Sequence, residues 1–155
     1  MIYVKTKVKK SDINKKGLFA GEFIPKGTIV ANMAIDAEFI SEKKYQEEQK
    51  KGNKLISFTG VRWIEKTFLY GTEIEKEDFI NHSFTPCLIY QLGICFAKKD
   101  ILKGKEITLD YRFWLAEKDF NSFKDKKTGK KVDGISPQKC LTESAKELLK
   151  IFKTK

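Results

Sequence analysis

Two short segments of the chain hold side chains suited to chemistry. In Phe79-Ile80-Asn81-His82-Ser83-Phe84-Thr85-Pro86 the only histidine of the chain stands between an amide and a hydroxyl, inside an apolar run. In Glu106-Ile107-Thr108-Leu109-Asp110-Tyr111 a β-like stretch ends on a tyrosine, which offers a phenol at the edge of a pocket. Amide, imidazole and hydroxyl groups fit the end of a strand poorly unless each finds a hydrogen-bond partner. The two segments therefore read as halves of one site rather than as two surface loops.

Composition narrows what that site can be. With 155 residues, 41% of them hydrophobic, the chain suits one domain with a real core and is short for two. The start, Met1 to Lys7, alternates apolar with basic residues and has none of the apolar core of an export signal. No apolar run approaches the roughly 20 residues of a membrane span. Cys87, Cys95 and Cys140 are odd in number and lack CxxC spacing, so a disulfide framework is not expected and a reducing, cytoplasmic location is. One histidine and scattered cysteines leave too few ligands for a structural metal site. The net charge of +10 sits at the ends: residues 1–16 carry +5 and residues 112–155 carry +6, while residues 17–111 sum to −1. A nearly neutral middle argues against a dedicated nucleic-acid fold, and the basic ends allow weak contact with nucleic acid.

The elements that must position the two segments follow from periodicity. Tyr3 to Val8 alternates as a half-buried strand, Lys15-Lys16-Gly17 and Pro25-Lys26-Gly27 are turns, and Thr28 to Ala31 is a further strand. Residues 41–51 form a charged helix capped by Ser41, a peripheral insert. Short β-like runs then recur at Leu55–Phe58, Val61–Ile64, Phe68–Tyr70, Leu88–Leu92, Ile94–Ala97 and Glu106–Leu109. Such spacing without alternating helices means small antiparallel sheets with peripheral helices, a mostly β, α+β fold. Residues 124–131 form a basic loop. Ser136-Pro137 starts a helix over 137–153, with Leu141, Ala145, Leu148, Leu149 and Phe152 on the face expected to dock on the body.

Three blocks in order carry a family resemblance. Gly17-Leu18-Phe19-Ala20 with Ile24-Pro25-Lys26-Gly27, then Phe79-Ile80-Asn81-His82-Ser83 with Pro86, then Lys103-Gly104-Lys105-Glu106-Ile107-Thr108-Leu109-Asp110-Tyr111, resemble the motifs of SET-domain protein lysine methyltransferases. The resemblance covers residues 3–113, making residues 1–113 the SET domain, with residues 114–155 packed on it as a basic loop and amphipathic helix. It implies small sheets around a knot-like crossing, where the chain after Tyr111 passes beside Asn81-His82. It implies S-adenosylmethionine as cofactor, held by Lys16, Gly17, Leu18, Phe19, Asn81, His82, Tyr111 and Trp114. A lysine-containing protein substrate of histone-like or ribosomal type would enter from the opposite face. Tyr111 and Tyr90 are then the catalytic candidates, and Tyr70, Tyr90 and Phe113 the candidates for the channel. The chain departs from the family's pattern at Lys15, where a glycine is usual, at Asp78, where an arginine is common, and at Cys87, where an asparagine is usual. The cysteine-rich zinc segment that follows the domain in many histone enzymes is also missing.

The chemistry implied is an in-line displacement, in which alignment and exclusion of water dominate. The substrate ammonium must first lose a proton; desolvation and a neighbouring sulfonium both favour that loss, so no dedicated strong base is required. The tyrosine hydroxyl then supplies an oriented dipole, while His82 is expected to position rather than to transfer protons. Without the surrounding motifs Tyr111 would read as a tyrosine capping a strand and His82 as a buried histidine holding a turn. Two competing functions remain: a non-catalytic SET-like interaction module, and a basic protein associated with nucleic acid.

Overall fold

The computed structural model describes residues 1–153. Strand β1 (Thr6–Lys10) pairs antiparallel with β2 (Lys16–Ala20), Lys10 opposite Lys16 and Thr6 opposite Ala20. The other edge of β2 is covered by a later segment, through Ala20 N–H to Lys105 C=O at 2.9 Å and Ile107 N–H to Leu18 C=O at 2.7 Å. Leu18 is thereby shut into the core. Strand β3 (Ile29–Asn32) leads into the insert, which comprises β4 (Ala37–Ser41), α1 (Glu42–Lys50), α2 (Lys54–Thr59), β5 (Val61–Ile64) and β6 (Thr67–Gly71). The insert's strands form a sheet of order β4-β6-β5.

After β7 (Asn81–His82), strands β8 (Leu88–Gln91) and β9 (Ile94–Ala97) form a hairpin, and β3 adds to it in the order β3-β9-β8. β10 (Thr108–Leu109), the small hairpin β11 (Phe123–Lys124) with β12 (Lys131–Val132), and α3 (Pro137–Phe152) complete the chain. The fold is the expected mixture of small sheets with peripheral helices. The main core lies between the β1-β2 ribbon, the β3-β9-β8 sheet and β10, around Leu18, Val30, Ile80, Leu88, Ile107 and Leu109.

Three local expectations are corrected. Leu55–Phe58 is not a strand but lies in α2. The Asn53 side chain caps that helix by accepting the Ile56 N–H at 3.2 Å, and Ile56 and Thr59 turn inward; an apolar run this short has no decisive period. The β7-β10 pair is parallel rather than antiparallel, which the long connection between its strands permits and a hairpin would not. α3 begins at Pro137 under the Ser136 cap, but only part of its apolar stripe docks, with the Phe152 ring edge-on to Phe96 at 5.9 Å. Its buried residues are Cys140 and Ser144, whereas Leu149 is 61% exposed and Phe152 55%. The Ser144 hydroxyl bonds Gln91 and Glu147 pairs with Lys98 at 2.6 Å, so polar contacts set the rotation of the helix.

Among the described residues no helix is long and apolar enough to cross a membrane.

Candidate active site

The two segments singled out in the sequence meet at a chain crossing. Asn81 lies opposite Thr108 and His82 opposite Leu109, and Ser83 N–H continues the ladder to Leu109 C=O at 2.8 Å. Just beyond, the backbone N–H of Tyr111 donates to His82 Nδ1 at 3.1 Å. Asp110 caps the turn that follows by accepting Arg112 N–H at 3.1 Å, with the Arg112 guanidinium paired to its carboxylate at 2.6 Å. Burial holds His82 below its ordinary pKa, outweighing the opposite pull of Asp110. An Nδ1 that accepts a hydrogen bond places the proton of a neutral ring on Nε2. That atom has no protein partner, and the ring is edged by Phe84, Tyr111 and Phe123. His82 thus pins the backbone of Tyr111 and is poorly set for proton transfer.

Asn81 pins the glycine turn in the same way. Its Nδ2 donates to Lys16 C=O at 2.9 Å and Glu106 Oε1 at 2.8 Å, with Ser11 Oγ at 3.3 Å. Ser11 Oγ donates to the same carboxylate oxygen at 2.7 Å. Gly17 fits against this cluster because it has no side chain: a Cβ there would sit on Glu106 Oε1 and 2.8 Å from Asn81 Nδ2. Ser11 is invisible to sequence reasoning, since a serine in a turn far from Asn81 in the chain carries no local signal. Glu106 is visible there only as the acidic position of its motif.

The Tyr111 hydroxyl donates to Ile80 C=O at 2.6 Å. Burial lifts its pKa well above the ordinary phenol range, so the phenol stays neutral. Its single proton is committed to Ile80, which leaves the oxygen as an acceptor. The ring stacks on Trp114 at 5.1 Å between centroids, and both line a cavity of about 420 Å³ together with Lys15, Lys16, Asp78 and Asn81. Phe58, Phe79 and Phe123 close its apolar sides. The indole Nε1 of Trp114 is a buried donor with no protein acceptor.

Of the expected cofactor residues, Lys16, Asn81, Tyr111 and Trp114 come together here. Gly17 supports the wall from behind and His82 supports Tyr111, while Leu18 is core and Phe19 lies under the Lys9 ammonium at 5.6 Å. None of the expected channel residues lines this cavity. Tyr90 is buried, its hydroxyl donating to Arg62 C=O, with its ring edge-on to Trp114 at 6.0 Å. It lines a separate cleft with Arg62, Trp63 and Cys140. Phe113 and Tyr90 together line a groove between α3 and the Phe84–Leu88 segment. Tyr70 is on the insert, its hydroxyl bonded to Glu38 at 2.8 Å.

The wall beyond Trp114 is held by a carboxylate that no sequence motif marks. Asp119 is buried and accepts Gln49 Nε2 of α1 at 3.1 Å, Asn121 N–H at 2.8 Å and Ala116 N–H at 2.9 Å. Asn121 in turn donates to Ser57 C=O of α2 at 2.8 Å, so the insert and the segment after Tyr111 are clamped together over the cavity. Asp119→Ala leaves these donors unpaired and is expected to cost roughly 3 kcal/mol, seen in a thermal melt as a Tm lower by roughly 6–12 °C. An unchanged Tm would show that the clamp contributes nothing to stability.

A family model described as SET domain matches residues 15–112, which is well over half of the chain and spans the glycine turn, the crossing and Tyr111. No curated protein shows significant similarity to the chain.

Proposed function

The chain is a SET-domain protein, and from that premise we propose that it is an S-adenosylmethionine-dependent protein lysine N-methyltransferase. The observation that carries this reading is Tyr111: a neutral phenol at the chain crossing, its proton given to Ile80 C=O, in a residue that lines a cavity. The residues present fit the cofactor. A cavity of about 420 Å³ falls in the range of small-molecule sites. Lys15 and Lys16 offer charge to a carboxylate, and the faces of Tyr111, Trp114 and Phe123 suit a sulfonium and a purine. The unused indole N–H of Trp114 offers a donor to a bound polar group.

When bound, S-adenosylmethionine supplies an electrophilic methyl group. The protein's part is to present a neutral amine and keep water away. A lysine ammonium entering an apolar passage loses hydration, which lowers its pKa and favours the free amine. The Tyr111 oxygen can accept an N–H of that amine and orient the nitrogen lone pair. Because its own proton is held by Ile80, it does so without reorganising. His82 and Asp110 fix the backbone on either side of the phenol, and the buried Trp114 covers one face of its ring.

The reading is tested by incubating the protein with methyl-labelled cofactor and lysine-rich protein mixtures, including histone-like and ribosomal proteins and a whole lysate. Label on lysine side chains, located by mass spectrometry, is the expected result. Cofactor binding with no label in any mixture would overturn the enzyme reading and leave a non-catalytic binding module.

A further inference from the structure

The cavity wall holds one carboxyl among its cations and aromatic rings. Asp78 belongs to a 3-10 turn (Lys76–Phe79) just before β7, and its Oδ2 accepts the backbone N–H of Glu75 at 2.7 Å. Among the described residues it forms no ion pair. On the cavity side its company is Lys15, Lys16, Asn81 and the neutral phenol of Tyr111. On its other side it borders a second cavity with Asp36, Glu73, Glu75 and Glu77; Glu77 is bound to the N-terminal ammonium. Burial is the largest cause that pushes Asp78 up, to about 7, with Glu77 and Glu75 adding to it and the Glu75 N–H and the N-terminal ammonium opposing.

The acceptors at this end of the cavity are few. The Nδ2 of Asn81 is spent on Lys16 C=O and Glu106, so toward the cavity that amide can offer only Oδ1. Asp78 lines the same cavity and brings a carboxylate to it. An α-ammonium carries three donors and no acceptor, whereas an α-carboxylate wants cations. A wall built of Lys15 and Lys16 alone would receive the second group and repel the first. Resting on the methyltransferase reading above, we propose that Asp78 receives the α-ammonium of the cofactor's amino-acid end while Lys15 and Lys16 face its carboxylate. The site then recognises a zwitterion through one carboxyl of the protein, and it binds best when that carboxyl is ionised. Protonated Asp78 must release its proton before the ammonium can pair with it, so affinity rises with pH and levels off only above neutrality, once the carboxyl is ionised.

The test uses the full chain and titration calorimetry with S-adenosylhomocysteine, which keeps the amino-acid end, and with 5′-methylthioadenosine, which lacks it. Binding of S-adenosylhomocysteine is expected to tighten about tenfold from pH 5.5 to 7.0 and, at pH 7, to release roughly half a proton per site, read from buffers of different ionisation enthalpy. 5′-Methylthioadenosine should show neither effect. Asp78→Asn, which retains an oxygen for the Glu75 N–H, should weaken S-adenosylhomocysteine about tenfold at pH 7 and abolish its pH dependence. The wild-type proton release needs no variant, so it decides the matter even if Asp78→Asn folds poorly. Binding that ignores pH and releases no proton, or a pH dependence that survives in Asp78→Asn, overturns the role of Asp78 alone. No binding of either compound overturns the methyltransferase reading and this inference with it.

Discussion

Tyr111→Phe is expected to lower the rate of methyl transfer by about 100-fold or more while cofactor affinity changes only a few-fold. The ring remains, so its stacking on Trp114 and its edge contact with His82 survive. The backbone N–H that His82 holds is untouched. Lost are the hydroxyl's bond to Ile80 C=O and the oxygen that would orient the amine. The first loss costs stability on the order of 1 kcal/mol, too little to unfold the chain. The second removes an oriented dipole at the reacting centre, where single-group deletions cost about 10²–10³ in rate. Single-turnover kinetics with labelled cofactor, beside calorimetric binding, separates the two. A variant that transfers methyl groups at the wild-type rate would remove Tyr111 from the chemistry. One that no longer binds cofactor would make it a structural residue.

The largest stability effect is expected at Gly134. A Cβ there would fall on the carbonyl oxygens of Leu115 and Ala116 and on the carbonyl carbon of Ala116. These are backbone atoms and cannot swing aside, so the chain itself must move. Gly134 N–H also donates to Ala116 C=O at 3.1 Å, and Leu115 lines the cavity beside Trp114. Gly134→Ala should therefore cost about 3 kcal/mol or more and also weaken cofactor binding. Gly129 is the control. It has a φ of +68° with open space around it, so alanine there costs only the roughly 1–2 kcal/mol of left-handed backbone. Urea denaturation of both variants measures the difference. Equal midpoints would mean that the 115–116 backbone yields freely.

The glycine turn, Asn81-His82 and Tyr111 are legible in the sequence because these segments are short, ordered and chemically unusual. Lys16 and Trp114 follow from their places beside those segments. The insert helix over Glu42–Lys50 is legible from Ser41 and its charge pattern. Leu55–Phe58 is not, because a four-residue run with three apolar members suits a strand and a helix equally, and the Asn53 cap decides it. The apolar stripe of α3 points to the wrong docking face because it is only partly used: Ser144 and Glu147 find partners in Gln91 and Lys98. The position of Tyr90 after His82 suggests a channel residue, yet its hydroxyl is turned to Arg62 C=O. Strand register cannot show where a phenol ends.

The order and spacing of three motifs are enough to give the kind of protein, and they need no coordinates. They also assign Asn81-His82 and Tyr111 to one site. How those residues cooperate is a tertiary matter: a parallel pairing of β7 with β10, His82 holding the Tyr111 backbone, and Asn81 tied to Ser11 and Glu106 beneath Gly17. The same holds for Asp78 in the cavity wall and Asp119 behind it. Most of these contacts join residues far apart in the chain through single polar atoms, and a local pattern carries no record of which distant atom a donor will meet.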